Sequence, residues 1–201
     1  MTEWWTYSLR DLLLFSPRTY YRLFELYNLD VWPLQLVTIT IGIAILLLWR
    51  HRGATSGRSI AALLALSWLW VAWAYHWQRY ASINWAASYY AAAFMLQAVL
   101  LVWLGILRGK FNNQGVADWR KHLGLSVILI SLFFYPLLAP VLGRSWLQAE
   151  VFGITPDPTA LAMLGTLLLY RARPLWWLYP VPVIWCLVSG ATVWTMARLD
   201  H

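Results

Sequence analysis

The sequence predicts an all-α, polytopic membrane protein: about six transmembrane helices preceded by amphipathic interfacial helices. Three observations predict it. Of 201 residues, 61% are hydrophobic and only 11% are charged, against roughly 25% charged in a typical soluble domain. A chain of this length normally makes one domain, and the exterior of a soluble one has to stay largely polar. The apolar residues also come in runs close to the ~20 that a helix needs to cross a hydrocarbon layer of roughly 30 Å. Finally, these runs are continuous rather than alternating with period two, which favours helices over a membrane barrel. The expected organisation is an interfacial amphipathic segment over 1–30 and a transmembrane domain over 31–201.

Within 1–30, residues 3–15 form an apolar-rich stretch with Trp4 and Trp5. It carries Glu3 and lacks the basic start of a secretory leader. Ser16-Pro17 then reads as a helix cap followed by proline at the first helical position. Tyr20, Leu23, Phe24 and Tyr27 fall on one face, with Arg18, Arg22 and Glu25 off it. Two readings stand side by side: helices lying on the outer leaflet, or a lid over an outward-facing cavity.

The six expected spans cover 33–49, 60–77, 86–107, 123–142, 158–170 and 175–197. The first contains Gln35, Thr38 and Thr40, suited either to helix contacts or to a cavity wall. The second carries Trp68, Trp70 and Trp73 and ends with His76 and Arg79, three apart on one face. Asn84 and Trp85 open the third, where Ala86, Tyr90, Ala93 and Gln97 share a face; small residues admit a neighbouring helix and Gln97 bonds across the contact or lines a cavity. Gly105 and Gly109 make a GxxxG match at its end. Pro136 and Pro140 predict kinks in the fourth, as do Pro180 and Pro182 in the sixth.

The fifth span is short, and Glu150 and Asp157 lie in the loop ahead of it. Asp157 stands between Pro156 and Pro158, so it or Thr159 is expected to cap that helix, with a ligand or counter-ion role for Asp157 as the alternative. No Asp, Glu, Lys or Arg falls near the middle of a predicted span. An intramembrane charge is a mark of ion-coupled transport, so the pattern favours passive permeation, ligand binding or a scaffold.

The formal charge of +7 is explained by its distribution. Arg50, Arg52 and Arg58, then Arg108, Lys110, Arg120 and Lys121, then Arg171 and Arg173 occupy three alternate loops. The opposite side holds Arg79, Arg144 and Arg198, with Arg10, Arg18 and Arg22 offset by Glu3, Asp11, Glu25 and Asp30. The positive-inside rule makes the three basic loops cytoplasmic and both termini extracytoplasmic, with anionic headgroups, not nucleic acid, as the partner of the basic charge.

Most of the sixteen tryptophans fall near predicted boundaries, as in interfacial belts. Trp68, Trp70, Trp73 and Trp185 lie deeper and suit either a packed surface or an aromatic cage for a cationic or planar ligand. Cys186 is the sole cysteine, so no internal disulfide forms. No metal spacing, phosphate loop or nucleophile elbow appears, and no cofactor or catalytic group is expected.

Three stretches, FSPRTYYRLFELYN (15–28), INWAASYYAAAF (83–94) and FGITPDPTALAMLG (152–165), resemble a bacterial family of inner-membrane proteins catalogued only as a domain of unknown function. The resemblance runs along most of the chain. It implies a six-helix protein of the bacterial inner membrane and brings no activity or site residues with it.

The residues themselves suggest a small-solute transporter or channel with an outward-facing polar vestibule built from His76, Arg79, Asn84, Tyr90, Glu150 and Asp157, with Gln97 beneath. The alternatives are a tryptophan-rich ligand-binding or sensory membrane protein, holding a hydrophobic molecule among Trp68, Trp70, Trp73 and Trp185, and an accessory subunit or homo-oligomer whose apolar faces pack in a larger complex.

Overall fold

Ser16 and Pro17 start the first helix as their chemistry requires. In the computed structural model, which describes residues 15–51 and 53–198, the Ser16 hydroxyl accepts the Thr19 N–H at 3.2 Å and opens α1 (Pro17–Asp30). The expectations for residues 3–14 and for Arg52 fall outside the described residues. Tyr20, Phe24 and Tyr27 are buried and Leu23 partly so, while Arg18 and Arg22 are exposed, which is the amphipathic face read from the spacing.

A bend of 89° separates α1 from α2 (Leu34–Arg50). There follow α3 (Ala54–Ser82), α4 (Ala87–Leu107), α5 (Asp118–Val141) and α7 (Arg173–Ala197), four helices long and apolar enough to cross a membrane. The bent α1–α2 pair passes the same test taken together. Each of the six expected runs therefore falls on a helix. The fifth differs in kind: α6 (Pro156–Leu168) has 13 residues and a length of only ~20 Å. The stretch before it, 149–155, is not helical, yet every residue in it is buried.

α6 runs back along α5. At the start of α5, Arg120 donates to the carbonyls of Leu167 (3.5 Å) and Tyr170 (3.2 Å), placing a cation on the negative end of α6. Midway along α5, Ser131 donates to the Pro158 carbonyl at 2.5 Å. The two backbones touch at Gly124 and Gly165: a Cβ on either would stand 2.7 or 2.9 Å from the other's carbonyl oxygen.

Three helices contain wide π turns, over Val71–Trp77 in α3, Leu101–Leu107 in α4 and Ile130–Phe134 in α5. In α5 the wide turn leads into a tight one at Tyr135–Leu137, where Pro136 lacks the N–H that a regular turn would use. The expected interruption in this span is therefore present. In α7 the expectation is corrected. Pro180 begins the regular part, Pro180–Ala197, after a tight-turn stretch at Arg173–Leu178, so Pro180 and Pro182 open a helix rather than kink one. Gly105 of the GxxxG match points inward: a Cβ there would meet that of Ala61 at 2.2 Å, so it seats α4 on α3.

Candidate functional site

The site grows out of the junction between the buried stretch and α6. A non-helical backbone inside a bundle must find partners for its own polar groups, and here the sequence supplies them. Gly153, at φ +74°, turns the chain as few other residues can. Its N–H donates to the Thr159 hydroxyl at 2.8 Å, which itself donates to the Thr155 carbonyl at 2.7 Å. From above, α1 supplies donors: Asn28 Nδ2 reaches the Leu147 and Ala149 carbonyls, both at 2.8 Å, and the Tyr27 hydroxyl reaches that of Ile154 at 3.3 Å. α1 thus roofs the junction.

Asp157 was expected to cap α6, and it does not. Its side chain turns away from its own helix and takes three donors from two others. Trp185 Nε1–H donates to Oδ1 at 2.7 Å, while the hydroxyls of Ser189 (2.5 Å) and Tyr135 (3.0 Å) donate to Oδ2. These donors replace the water that a buried carboxyl loses. Ser189 lies midway along Pro180–Ala197. No carboxylate falls within a predicted span, yet the broken path of 149–168 carries Asp157 in among the helices, level with the middle of Pro180–Ala197, from what looks like a loop.

Polar groups without partners surround this carboxyl. Glu150 is buried with Oε2 unbonded. It lies near enough to both Asp157 and Arg144 to interact with their charges. The Arg144 guanidinium lies 4.2 Å over the Tyr21 ring, with Nε and Nη1 unbonded. His76 is fully buried in α3's wide turn, its ring 4.5 Å from Phe94 and 4.8 Å from Trp185. Neither of its nitrogens has a hydrogen-bond partner. Leaving such a group unbonded costs about 1–3 kcal/mol, which makes this cluster the candidate site.

The expected site residues divide. His76, Tyr90, Glu150 and Asp157 belong to this centre, Tyr90 through its ring contacts with Trp185 (5.2 Å) and His76 (6.0 Å). Asn84 stands at the rim, donating to the Tyr80 hydroxyl at 3.1 Å. Arg79 lies outside it, paired with Asp30 at 2.7 Å. Gln97 is buried and ties α4 to α7 by donating to the Leu178 carbonyl at 2.9 Å, the helix-contact role. Tyr135 and Ser189 were missed. They stand 22 and 32 positions from Asp157, and only a hydroxyl inside an apolar run hinted at Ser189.

The four deep tryptophans do not form one cage. Trp68 and Trp185 pack on Phe94, at 4.4 and 5.4 Å. Trp70 donates to the Tyr27 hydroxyl at 3.1 Å and meets Trp73 at 5.8 Å. Trp70 and Trp73 line a cavity of 460 Å³ with Tyr27, Asp30, Gln78 and Arg79. A groove of 760 Å³ beside it runs between α1 and the end of α3, past Arg18, Arg22, Glu25, Arg79 and Gln148. Asp157 lines neither. Among the described residues no group of His, Cys, Asp and Glu is arranged to hold a metal ion.

The chain belongs to the Family of unknown function (DUF6064), which it matches over residues 18–198, from the first turn of α1 to the end of α7. No curated protein and no solved structure matches it.

Proposed function

We propose that this protein is a membrane carrier that takes a small, positively charged or donor-rich solute, such as a protonated amine, through an occluded centre at Asp157. The observation that carries the reading is the Asp157 carboxyl at the break between a buried non-helical stretch and a half-length helix, level with the middle of α7. Broken helices with irregular backbone at depth are tolerated in membranes where they line a cavity, and they form the central sites of many carriers. Two carboxyls, Asp157 and Glu150, neither within ion-pair distance of a cation among the described residues although Arg144 lies near Glu150, and walls of Tyr75, Tyr90 and Trp185 supply charge and π faces for a cation.

On this reading α2, α3, α4, α5, α6 and α7 are the six crossings. The basic loops face the cytoplasm of a bacterial inner membrane, both termini lie outside, and α1 is the outer cover of the centre. The test is counterflow of labelled methylammonium in proteoliposomes. We expect flux that falls about tenfold or more in Asp157→Asn and Glu150→Gln while the folded yield is kept. Flux equal to that of the two variants, or none above empty liposomes across a panel of small amines, sinks the reading.

The 460 Å³ cavity beside Trp70 and Trp73 favours a second reading, in which the protein binds a hydrophobic molecule with a polar head against Asp30 and Arg79. It predicts ligand-dependent quenching of tryptophan emission that disappears in Trp73→Phe. Unchanged emission across a lipid and sterol screen would count against it.

A further inference from the structure

The end of the molecule opposite the α1 cover holds a second site that this carrier reading does not use. A pocket of 220 Å³ lies among the start of α5, the end of α6 and the start of α7, lined by Arg120, Tyr170, Arg171, Arg173, Trp176 and Tyr179 among others, with no acidic side chain. None of the three arginines makes an ion pair among the described residues; Asp118, two positions before Arg120, is paired with Lys121 at 2.7 Å. Arg120 is spent on the carbonyls that end α6, and Arg171 makes one long bond, 3.4 Å, to the Gly115 carbonyl. Arg173 is exposed. Arg171 and Arg173 thus keep their forks largely free at one concavity, backed by the charge of Arg120, and forked cations match a phosphate oxygen set.

The surroundings say which phosphate. Trp176 and Trp177 are 74% and 69% exposed at the rim, as amphipathic rings are where headgroups meet hydrocarbon. Leu123, one turn on from Arg120, and Ile184 and Leu187 on α7 are exposed as well, leaving apolar tracks leading away from the pocket on both helices. A free phosphate has no use for those tracks, whereas acyl chains do. We propose that this pocket binds the phosphate of an anionic phospholipid, with its chains along α5 and α7, as basic pockets between membrane helices do on the cytoplasmic side. The proposal shares the membrane setting of the carrier reading but not its solute or its centre.

The experiment titrates delipidated protein in neutral detergent with phosphatidylglycerol, phosphatidylcholine or inorganic phosphate, and reads the thermal midpoint and the bound lipid by native mass spectrometry. We expect phosphatidylglycerol to raise the midpoint and be retained, phosphatidylcholine to do neither, and Arg171→Gln/Arg173→Gln to weaken retention about tenfold. Arg50→Gln/Arg58→Gln, at the same end, is to leave retention unchanged. If the glutamine pair misfolds, Arg171→Lys/Arg173→Lys keeps the charge and loses the fork, and retention is to drop there too. Stabilisation by inorganic phosphate alone makes the site one for free anions and overturns the lipid assignment. Equal retention of both lipids, or equal loss in the Arg50/Arg58 control, overturns the site itself. None of these outcomes depends on amine flux.

Discussion

Asp157 has no local reason to be where it is. Pro156 and Pro158 hold its backbone at the head of α6, but its side chain is fixed by Trp185, Ser189 and Tyr135 from two other helices. Because the three donors share one carboxyl, their removal cannot be additive. Ser189→Ala and Tyr135→Phe should each lower stability by about 1–3 kcal/mol, and the double variant should differ from their sum by at least ~0.5 kcal/mol, read by thermal unfolding in detergent. Additive losses would mean that the two hydroxyls do not act on a common group.

Where an element is built from nearest-neighbour spacing, the sequence displays it: the cap and buried face of α1 follow from Ser16, Pro17 and the positions of Tyr20, Phe24 and Tyr27, and the apolar runs all fall on helices. The broken path of 149–168 was not visible in the same way. A buried loop looks like any loop when its partners, Asn28, Tyr27 and Thr38, lie more than a hundred positions away in the chain, and only Pro156 and Pro158 signalled that the helix starts late. For the same reason the sequence offered Asp157 as a cap and grouped Arg79 with a centre from which Asp30 withdraws it. Glycine in the spans shows the difference between spacing and contact most simply. Gly165 and Gly190 both sit in apolar helical runs. A Cβ on Gly165 would meet the Gly124 oxygen at 2.9 Å and the Ile128 nitrogen at 3.1 Å, both backbone atoms, whereas nothing lies within 4 Å of one on Gly190. Gly165→Ala should push α6 off α5 and lower the midpoint, whereas Gly190→Ala should stabilise by up to about 1 kcal/mol by favouring the helix. Two equal shifts would show that the α5–α6 contact is looser than its geometry.

The whole chain turns on whether α6, too short to cross alone, completes a crossing with the stretch before it. Arg120 at the head of α5 bonds to the Tyr170 carbonyl beyond the tail of α6, so the α4–α5 loop and the α6–α7 turn lie at one end of the bundle. Ser145, after α5, lies at the other end, where Asn28 of α1 bonds to Leu147. In the proposed topology, drawn from the arginine and lysine distribution, the first end faces inside. With Cys186 replaced by serine, a single cysteine at Gln114 or at Ala172 should resist a membrane-impermeant maleimide on intact cells and react after permeabilisation. One at Ser145 should react in both cases. If Ala172→Cys labels from outside while Gln114→Cys does not, the segment 149–168 is not a crossing. The carrier reading then loses its central observation, because Asp157 would no longer lie across the path between the two sides.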